Sequence, residues 1–579
     1  MGDSGGNWVT YNGEIYNYLE LRSELETGEL GADPFTTTSD TEVLLYAYRR
    51  WGQECVHRFQ GMFAFALWDG ARQELFCARD PFGIKPFYYA VVDDVFYCAS
   101  EAKALLPFLP SIETDVDGLK DYLAFQFCLG GKTLFRGVYE LLPGHTLTIR
   151  NGRVHISRYW QVFYDLDWTH TSRYFEERIA ELLDESVRLH LRADVPTGSY
   201  VSGGFDSSAV AVAAAQHDKN LLGFHGKFSA GPEYDESRYA RAVAQHGHFN
   251  LLEADITASD FIDHVAKVIY HLDYPMAGPG SFPQYMVARL TGQHRKVVLG
   301  GQGGDEMFGG YARYLIAYFE QCIRAAIEGT MHNGNFVVTY ESIIPQLATL
   351  RQYKPMLQHF WQQGLFEDIG RRYFRLIERA SLADREIRWE AMGDYSPYDT
   401  FHTIFYGDNV RKESYFDLMT HFDFKTLLPA LLHVEDRMSM AHGVETRVPL
   451  LYRPLVELAA TIPANIKFSD GHLKHVLRLA MQSKLPQQVV QRGDKMGFPV
   501  PLSEWADGEA RDFICDLFSS QRAKERPLID YTCALTRLGT EPRFGRKVWG
   551  LLSLELWHRQ FHDRSSEFQS MIPDTTRSV

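Results

Sequence analysis

Tyr200-Val201-Ser202-Gly203-Gly204-Phe205-Asp206-Ser207-Ser208, followed by the alanine-rich run from Ala209 to Gln216, decides the fold class of this chain. An apolar pair closes a strand, small and hydroxylated residues make a tight turn, and a helix starts at Ala209. Gly203 and Gly204 leave backbone N–H groups unobstructed, and the hydroxyls of Ser202, Ser207 and Ser208 add donors. The helix N-terminus contributes the positive end of its dipole, so the turn is suited to hold a phosphate group. Asp206 would repel that phosphate unless a divalent cation lay between them, which implies Mg²⁺. The loop has no lysine and lacks the spacing of Walker-type phosphate loops. A glycine turn that only caps a helix is the alternative reading.

The sequence around this turn alternates helix and strand. A helix runs from about Ser172 to Arg192, and the helix after the turn reaches about His217. A strand at Leu221–Phe228 precedes a helix at Ser237–Gln245, and Lys296–Leu299 reads as a further strand. Interleaving of this kind makes a doubly wound parallel sheet that binds ligands at the carboxyl ends of its strands. A second glycine-rich turn, Gly300-Gly301-Gln302-Gly303-Gly304-Asp305-Glu306, directly follows the strand at 296–299. Asp206 and Asp305 are therefore expected at one sheet edge, holding Mg²⁺ against a polyphosphate.

Beyond Tyr311 the chain reads as helices almost to its end, with a helical elaboration near 315–400. Asp436–Leu450 reads as a helix ending in a proline turn, with Arg437 and Arg447 either on a solvated face or buried and paired. Lys474 and Arg478 fall one helical turn apart and are candidates for contacting phosphates. Arg492–Pro501 is a basic glycine- and proline-containing loop, suited to closing over an anion or to serving as a connector.

Before Ser172 the pattern differs. Short apolar runs at Met62–Trp68, Leu75–Ala78, Phe87–Val92 and Val95–Ala99 are broken by Asp, Gly and Pro, and helices are expected at Tyr18–Glu26 and Asp40–Trp51. Leu142 to Gly152 reads as a hairpin, and the aromatic-rich stretch from Val154 to Trp168 as a linker. Asn12-Gly13-Glu14 follows Trp8–Tyr11 as a turn signal, and Asp40 has the position of a helix N-cap.

Composition narrows the function. With 579 residues, two or more domains are expected, and 45% hydrophobic with 23% charged residues is ordinary for a globular protein. A net charge of −15 argues against nucleic acid or an anionic membrane as the main partner. No apolar run is long enough to span a bilayer and no signal pattern opens the chain, so a cytoplasmic location is expected. The seven cysteines are scattered without a C-x-x-C pair, which speaks against a disulfide framework or a zinc site.

Taken as a set, the motifs closely resemble those of the glutamine-dependent asparagine synthetases. The resemblance covers nearly the whole chain: Tyr11–Tyr16, Gly61–Phe65, Arg79–Pro86, Ala99–Ala104, Tyr200–Ser208, Tyr234-Asp235-Glu236, Gly300–Tyr311, Asp436–Pro449 and Arg492–Phe498. It implies an α/β multidomain protein. An α+β glutaminase-type sandwich, incomplete at its start, would occupy 1–152, with a linker at 153–171. A doubly wound ATP-pyrophosphatase domain with a helical C-terminal extension would occupy 172–565, and a tail 566–579. It further implies that Val201, Ser202, Gly203, Gly204, Asp206, Ser207, Ser208, Gly226, Gly301 and Lys474 bind ATP, and that Asp206 and Asp305 hold Mg²⁺. Asn12 and Gly13 would form an oxyanion hole, while Glu14 and Asp40 would hold glutamine. The implied reaction converts aspartate, ATP and ammonia into asparagine, AMP and pyrophosphate through a β-aspartyl-adenylate. Its partners are small molecules, namely ATP, aspartate or another carboxylate, and glutamine or ammonia, with a homodimer as a family expectation.

Three departures stand out. The family's N-terminal nucleophilic cysteine is absent, and a late start of the recorded chain is the expected reason. Gln302 stands where some members carry a glutamate proposed as general base. Tyr452 replaces a usual aspartate. The alternatives are the same adenylation chemistry on another carboxylate, or a non-catalytic paralogue.

Overall fold

Met62–Trp68 is apolar at every position, and the fold gives both of its faces something to cover. In the computed structural model, which describes residues 1–27, 34–231, 233–328, 354–362, 364, 366–383, 385–469, 472–492, 499–540 and 545–572, this run lies in β2 (Gly61–Asp69). The order of elements before it is β1 (Trp8–Ile15), α1 (Tyr18–Thr27) and α2 (Asp40–Trp51). After it come β3 (Glu74–Arg79), β4 (Tyr88–Val92), β5 (Val95–Ala99), α3 (Val116–Phe125), β6 (Tyr139–Glu140), β7 (His145–Arg150) and β8 (Arg153–Arg158). The strands form an antiparallel sheet in the order β1-β2-β3-β7-β8 and a smaller one in the order β5-β4-β6. Phe63, Phe65 and Leu67 pack into one core with Val43, Leu44 and Leu45 of α2. Alternate residues Ala64 and Ala66 join Cys77, Phe87 and Leu141 on the opposite face. The period of two in a strand thus serves two cores at once. β7 and β8 meet at Asn151-Gly152, both at positive φ, as a two-residue hairpin requires. β8 therefore extends the sheet into part of the stretch that sequence assigns to the linker.

The parallel sheet follows from α4 (Ser172–His190) onward: β9 (Thr197–Tyr200), α5 (Phe205–His217), β10 (Leu222–Lys227), α6 (Ser237–Gly247), β11 (Asn250–Asp255), α7 (Ala258–Leu272), α8 (Ser281–Gly292), β12 (Val297–Leu299), α9 (Gly304–Phe308), α10 (Ala312–Glu328) and β13 (Glu445–Arg447). Strand order is β11-β10-β9-β12-β13, and every neighbouring pair is parallel. The chain winds outward from β9 to β11, returns, and winds the other way from β12 to β13. The switch point between β9 and β12 is where such sheets open a crevice.

Two sequence expectations are corrected here. Asp436–Leu450 is not one helix: the helix is Leu427–Met440, and Glu445–Arg447 is the edge strand β13. Asn12-Gly13-Glu14 is not a turn but lies inside β1, paired with Ala64, Phe63 and Met62. A Cβ on Gly13 would stand 2.1 Å from the Met62 carbonyl oxygen, so the glycine serves close strand approach rather than chain reversal.

The described chain separates into two units that are not contiguous in sequence. The first comprises Met1–Asp115, Gly130–Gln161 and the segment from Phe561, whereas Val116–Leu129 groups with Val162–Gln560 in the second. Among the described residues no helix is long and apolar enough to cross a membrane. Parts of the expected helical elaboration (329–353), of the basic loop (493–498) and of the tail (573–579) lie outside the described residues.

Candidate active site

Adjacent parallel strands release their chains side by side, and the two glycine-rich turns follow from that. β9 pairs with β12 in the register Val297↔Thr197, Val298↔Gly198 and Leu299↔Ser199, so the turns 201–204 and 300–303 leave the same sheet edge. A Cβ on Gly301 would come within 2.6 Å of Ser207 N and 2.8 Å of its Cα. Glycine is what lets the second turn lie against the first turn of α5.

α5 starts at Phe205 with Gly204 as N-cap, so the first N–H groups of the helix have no intrahelical acceptor and form an anion-binding end. The Ser202 and Ser207 hydroxyls pair with each other at 2.8 Å, and Ser202 Oγ accepts from Gly204 N at 3.2 Å. Ser208 departs from expectation. Its hydroxyl is fully buried and donates to the Gly204 carbonyl at 2.7 Å, which makes it a brace of the helix start rather than a ligand donor. Val201 N donates to Phe224 O, and Val201 O accepts from His225 Nδ1 at 2.8 Å, which ties the turn to β10 next to Gly226. Burial holds the His225 imidazole below its usual proton affinity.

Lys474 joins the two turns. Its ammonium pairs with Asp206 Oδ2 and lies 2.5 Å from Asp305 Oδ1. Lys474 and Asp206 are buried, and Asp305 is partly exposed. Lys474 does not lie on a helix face with Arg478: it caps the helix His475–Met481 at φ 56°, ψ 34°, a left-handed conformation uncommon for a lysine. Such strain is found where a site requires a side chain in one place. Arg478 turns elsewhere, onto the Val490 carbonyl and over the Phe205 ring at 5.2 Å.

This geometry suits a hard divalent cation. Two carboxylates from separate turns already converge on one positive charge, the lysine ammonium, and all the oxygens are hard donors. Among the described residues no group of three or more His, Cys, Asp or Glu side chains forms a metal cage. Mg²⁺ bound by one or two carboxylates and completed by substrate phosphates and water needs no such cage.

Sequence reasoning did not give several residues here the contacts they make. Arg492 pairs with Glu236, donates to the Gly203 carbonyl at 3.1 Å and stacks over Tyr239, bracing the phosphate turn from outside. Glu306 is buried and accepts from the Tyr311 hydroxyl; burial first, then the Asp305 charge, pushes it up to about 7. Glu435, one residue before the stretch that sequence singles out, accepts from Gln302 Nε2 at 3.1 Å and from Gln284 Nε2. No local pattern announces it, because its partners come from the turn after β12 and from α8. Arg437 and Arg447 are structural: Arg437 donates to His271 O, and Arg447 to Glu445, His190 O and Arg192 O.

In the first unit, Asn12 Nδ2 donates to Ser100 Oγ at 3.2 Å. Asp40 is not the N-cap of α2; Ser39 caps it by accepting from Thr41 N. Asp40 Oδ2 accepts instead from Ile15 N at 3.0 Å and from the Tyr11 hydroxyl at 2.8 Å, which fastens the helix start to β1. Asn12, Gly13 and Glu14 share that strand with both donors. Burial pushes the thiols of Cys55 and Cys77 up and keeps them protonated.

A family model described as asparagine synthase matches residues 178–559, and one described as a glutamine amidotransferase domain matches residues 1–160. Asparagine synthetase (glutamine-hydrolyzing) 1 of Bacillus subtilis (strain 168) is 31% identical over 95% of this chain and 85% of its own. A putative asparagine synthetase (glutamine-hydrolyzing) of Mycobacterium tuberculosis (strain ATCC 25618 / H37Rv) is 33% identical over 96% of this chain and 85% of its own. The amidase chry2 of Gibberella zeae is 26% identical over 91% and 82%.

Proposed function

The chain belongs to the asparagine synthase family, and from that premise we propose that it converts aspartate and ammonia into asparagine, with ATP cleaved to AMP and pyrophosphate. It is a ligase, an enzyme of ATP-dependent amide synthesis. In the finer reading, the unit made of Val162–Gln560 with Val116–Leu129 carries the synthetase reaction, and the unit built on Met1–Asp115 and Gly130–Gln161 the glutamine-handling part. The single observation that supports the synthetase reading is the meeting of Asp206 and Asp305 on the Lys474 ammonium, beside the N-terminus of α5.

Each residue then has a task. The first N–H groups of α5, with Ser202, Gly203, Gly204 and Ser207, hold the β- and γ-phosphates, while Val201, Gly226 and Gly301 frame the adenosine. Asp206 and Asp305 hold Mg²⁺, which when bound neutralises phosphate charge. Lys474 moves its ammonium from the carboxylates to the phosphate oxygens as negative charge builds there. The aspartate carboxylate attacks the α-phosphate, pyrophosphate departs, and ammonia displaces AMP from the acyl-adenylate. Burial of Asp206 and Lys474 helps keep water from that intermediate. In the first unit Asn12 and Gly13 face the glutamine carbonyl, and Glu14 and Asp40 its α-amino group.

The test is acid-dependent pyrophosphate release from ATP and Mg²⁺ by the full chain with ammonium, comparing aspartate with other carboxylic acids and identifying the amide formed. Release with another acid alone moves the assignment to a different acceptor. Absence of any acid-dependent release overturns it.

A further inference from the structure

Gln302 accepts hydrogen bonds but cannot take a proton at neutral pH, yet making an amide from ammonia requires one to be removed. Directly behind its amide lies a carboxylate that the reaction scheme above leaves without a task. Glu435 is 4% exposed. Both amide donors that reach it, Gln302 Nε2 at 3.1 Å and Gln284 Nε2, bind the same oxygen, Oε2. Among the described residues Oε1 accepts no hydrogen bond. The neighbouring Thr446 hydroxyl donates instead to Ser439 Oγ at 2.8 Å. Oε1 lies 3.4 Å from where a Cβ would stand on Gly300, the first residue after β12. With no side chain there, this oxygen lies beside the Thr446 methyl at the strand end from which the Asp305 turn departs. Because Gln302 gives its NH₂ to Oε2, its carbonyl is directed away from Glu435.

Resting on the adenylation-and-amination reading above, we propose that Glu435 is the proton acceptor of the amination half-reaction, with Gln302 orienting the incoming ammonia through its carbonyl oxygen. The nitrogen lone pair forms the C–N bond at the acyl carbon. The bond from that carbon to the AMP phosphate oxygen breaks, and its electron pair leaves with AMP. The surplus proton on nitrogen passes to Glu435 Oε1 and is released to solvent before the next turnover.

The environment suits that task. Burial, opposed by the hydrogen bonds from Gln302 and Gln284 and by the nearby Thr446 hydroxyl, and assisted by the Asp436 charge, pushes Glu435 up to about 7. A base with a proton affinity near the working pH is the most effective kind. Tyr200 of β9 also faces it, itself held protonated by burial and by the Glu435 charge. Gln302, Gln284 and Thr446, which also lie against it, carry no charge.

Three measurements on the full chain test this: acid-dependent ATP–pyrophosphate exchange, amide formation from ammonium, and the pH profile of each at constant free ammonia. Glu435→Gln is expected to keep exchange within about twofold while amide formation falls about a hundredfold. In the unaltered enzyme amination, but not exchange, is expected to rise with pH through an inflection near 7, and Glu435→Gln to abolish that rise. Adding Gln302→Glu to Glu435→Gln is expected to restore at least about tenfold of the lost amination. Amide formation left within twofold, or an equal loss of exchange and amination, overturns the assignment. Should Glu435→Gln not fold, the profile of the unaltered enzyme decides, and a rise that is absent or shared with exchange overturns it. No exchange with any acid in the unaltered enzyme is a different result, because it removes the underlying reading of the site.

Discussion

Two regions of this molecule place functional groups on strands in opposite ways. In the parallel-sheet unit the groups sit beyond the strand ends, on the turns after β9 and β12, where β1 of the antiparallel unit carries Asn12, Gly13 and Glu14 within its own length. In the first arrangement the sheet is complete before the site begins, so the turns can change without loosening the ladder. In the second each residue is also a rung, and altering the site alters the sheet. Activity and stability should therefore separate in one region and travel together in the other.

The largest expected effect tests the separable side. Asp206→Ala should slow acid-dependent pyrophosphate release about a thousandfold. Lys474 keeps Asp305 as a partner, so thermal unfolding should remain cooperative. Normal turnover in that variant would remove the metal assignment. The inseparable side is tested by Gly13→Ala, whose new Cβ would sit 2.1 Å from the Met62 carbonyl oxygen. A loss of about 3 kcal/mol is expected, since overpacking against backbone has no cheap relief. It should be read as faster hydrogen exchange throughout β1 and β2, and exchange unchanged in both strands would break the contrast.

Gly301→Ala poses the same insult at a turn, with its Cβ 2.6 Å from Ser207 N. Here the expected outcome is a rise of about tenfold in the KM for ATP with amide protection in β9 and β12 retained. Lost protection there would show that turn and ladder are not independent after all. The smallest effect is expected from Ser208→Ala. Its buried hydroxyl holds the Gly204 carbonyl at 2.7 Å, so stability should fall by about 1 kcal/mol while the KM for ATP stays put. A tenfold rise in that KM would return Ser208 to the ligand.

The same contrast governs what could be read from sequence. The turn at Ser202–Ser208 was legible because glycines, hydroxyls and an alanine-rich helix occur in one unbroken stretch, and the doubly wound sheet followed from strands and helices in alternation. Asn12-Gly13 misled because an Asn-Gly pair has the same letters in a hairpin turn, as at Asn151-Gly152, and in a strand pressed against its neighbour. Only the partner, β2, tells them apart. β13 was hidden for a similar reason: three residues, Glu445–Arg447, become a strand because β12 is there to pair with. Lys474 was legible as a cation but not as a bridge, since helical spacing with Arg478 concealed the left-handed residue before the helix. Glu435 carried no signal at all, because its glutamine partners lie more than a hundred positions away in the chain.

The interleaving of the two units has a bearing on how the chain comes into being. Segments of a protein generally fold as units while synthesis proceeds from the N-terminus. Here the helix Val116–Phe125, with Leu119 and Tyr122 fully covered in the finished molecule, emerges early but belongs to the later unit. The first unit in turn needs Phe561, whose ring lies 5.3 Å from that of Phe135. A nascent chain must therefore carry an unsheltered apolar helix and an unfinished core through most of translation. Cutting the molecule into two expression fragments near residue 160 would make that passing state permanent, and such fragments should aggregate unless co-expressed.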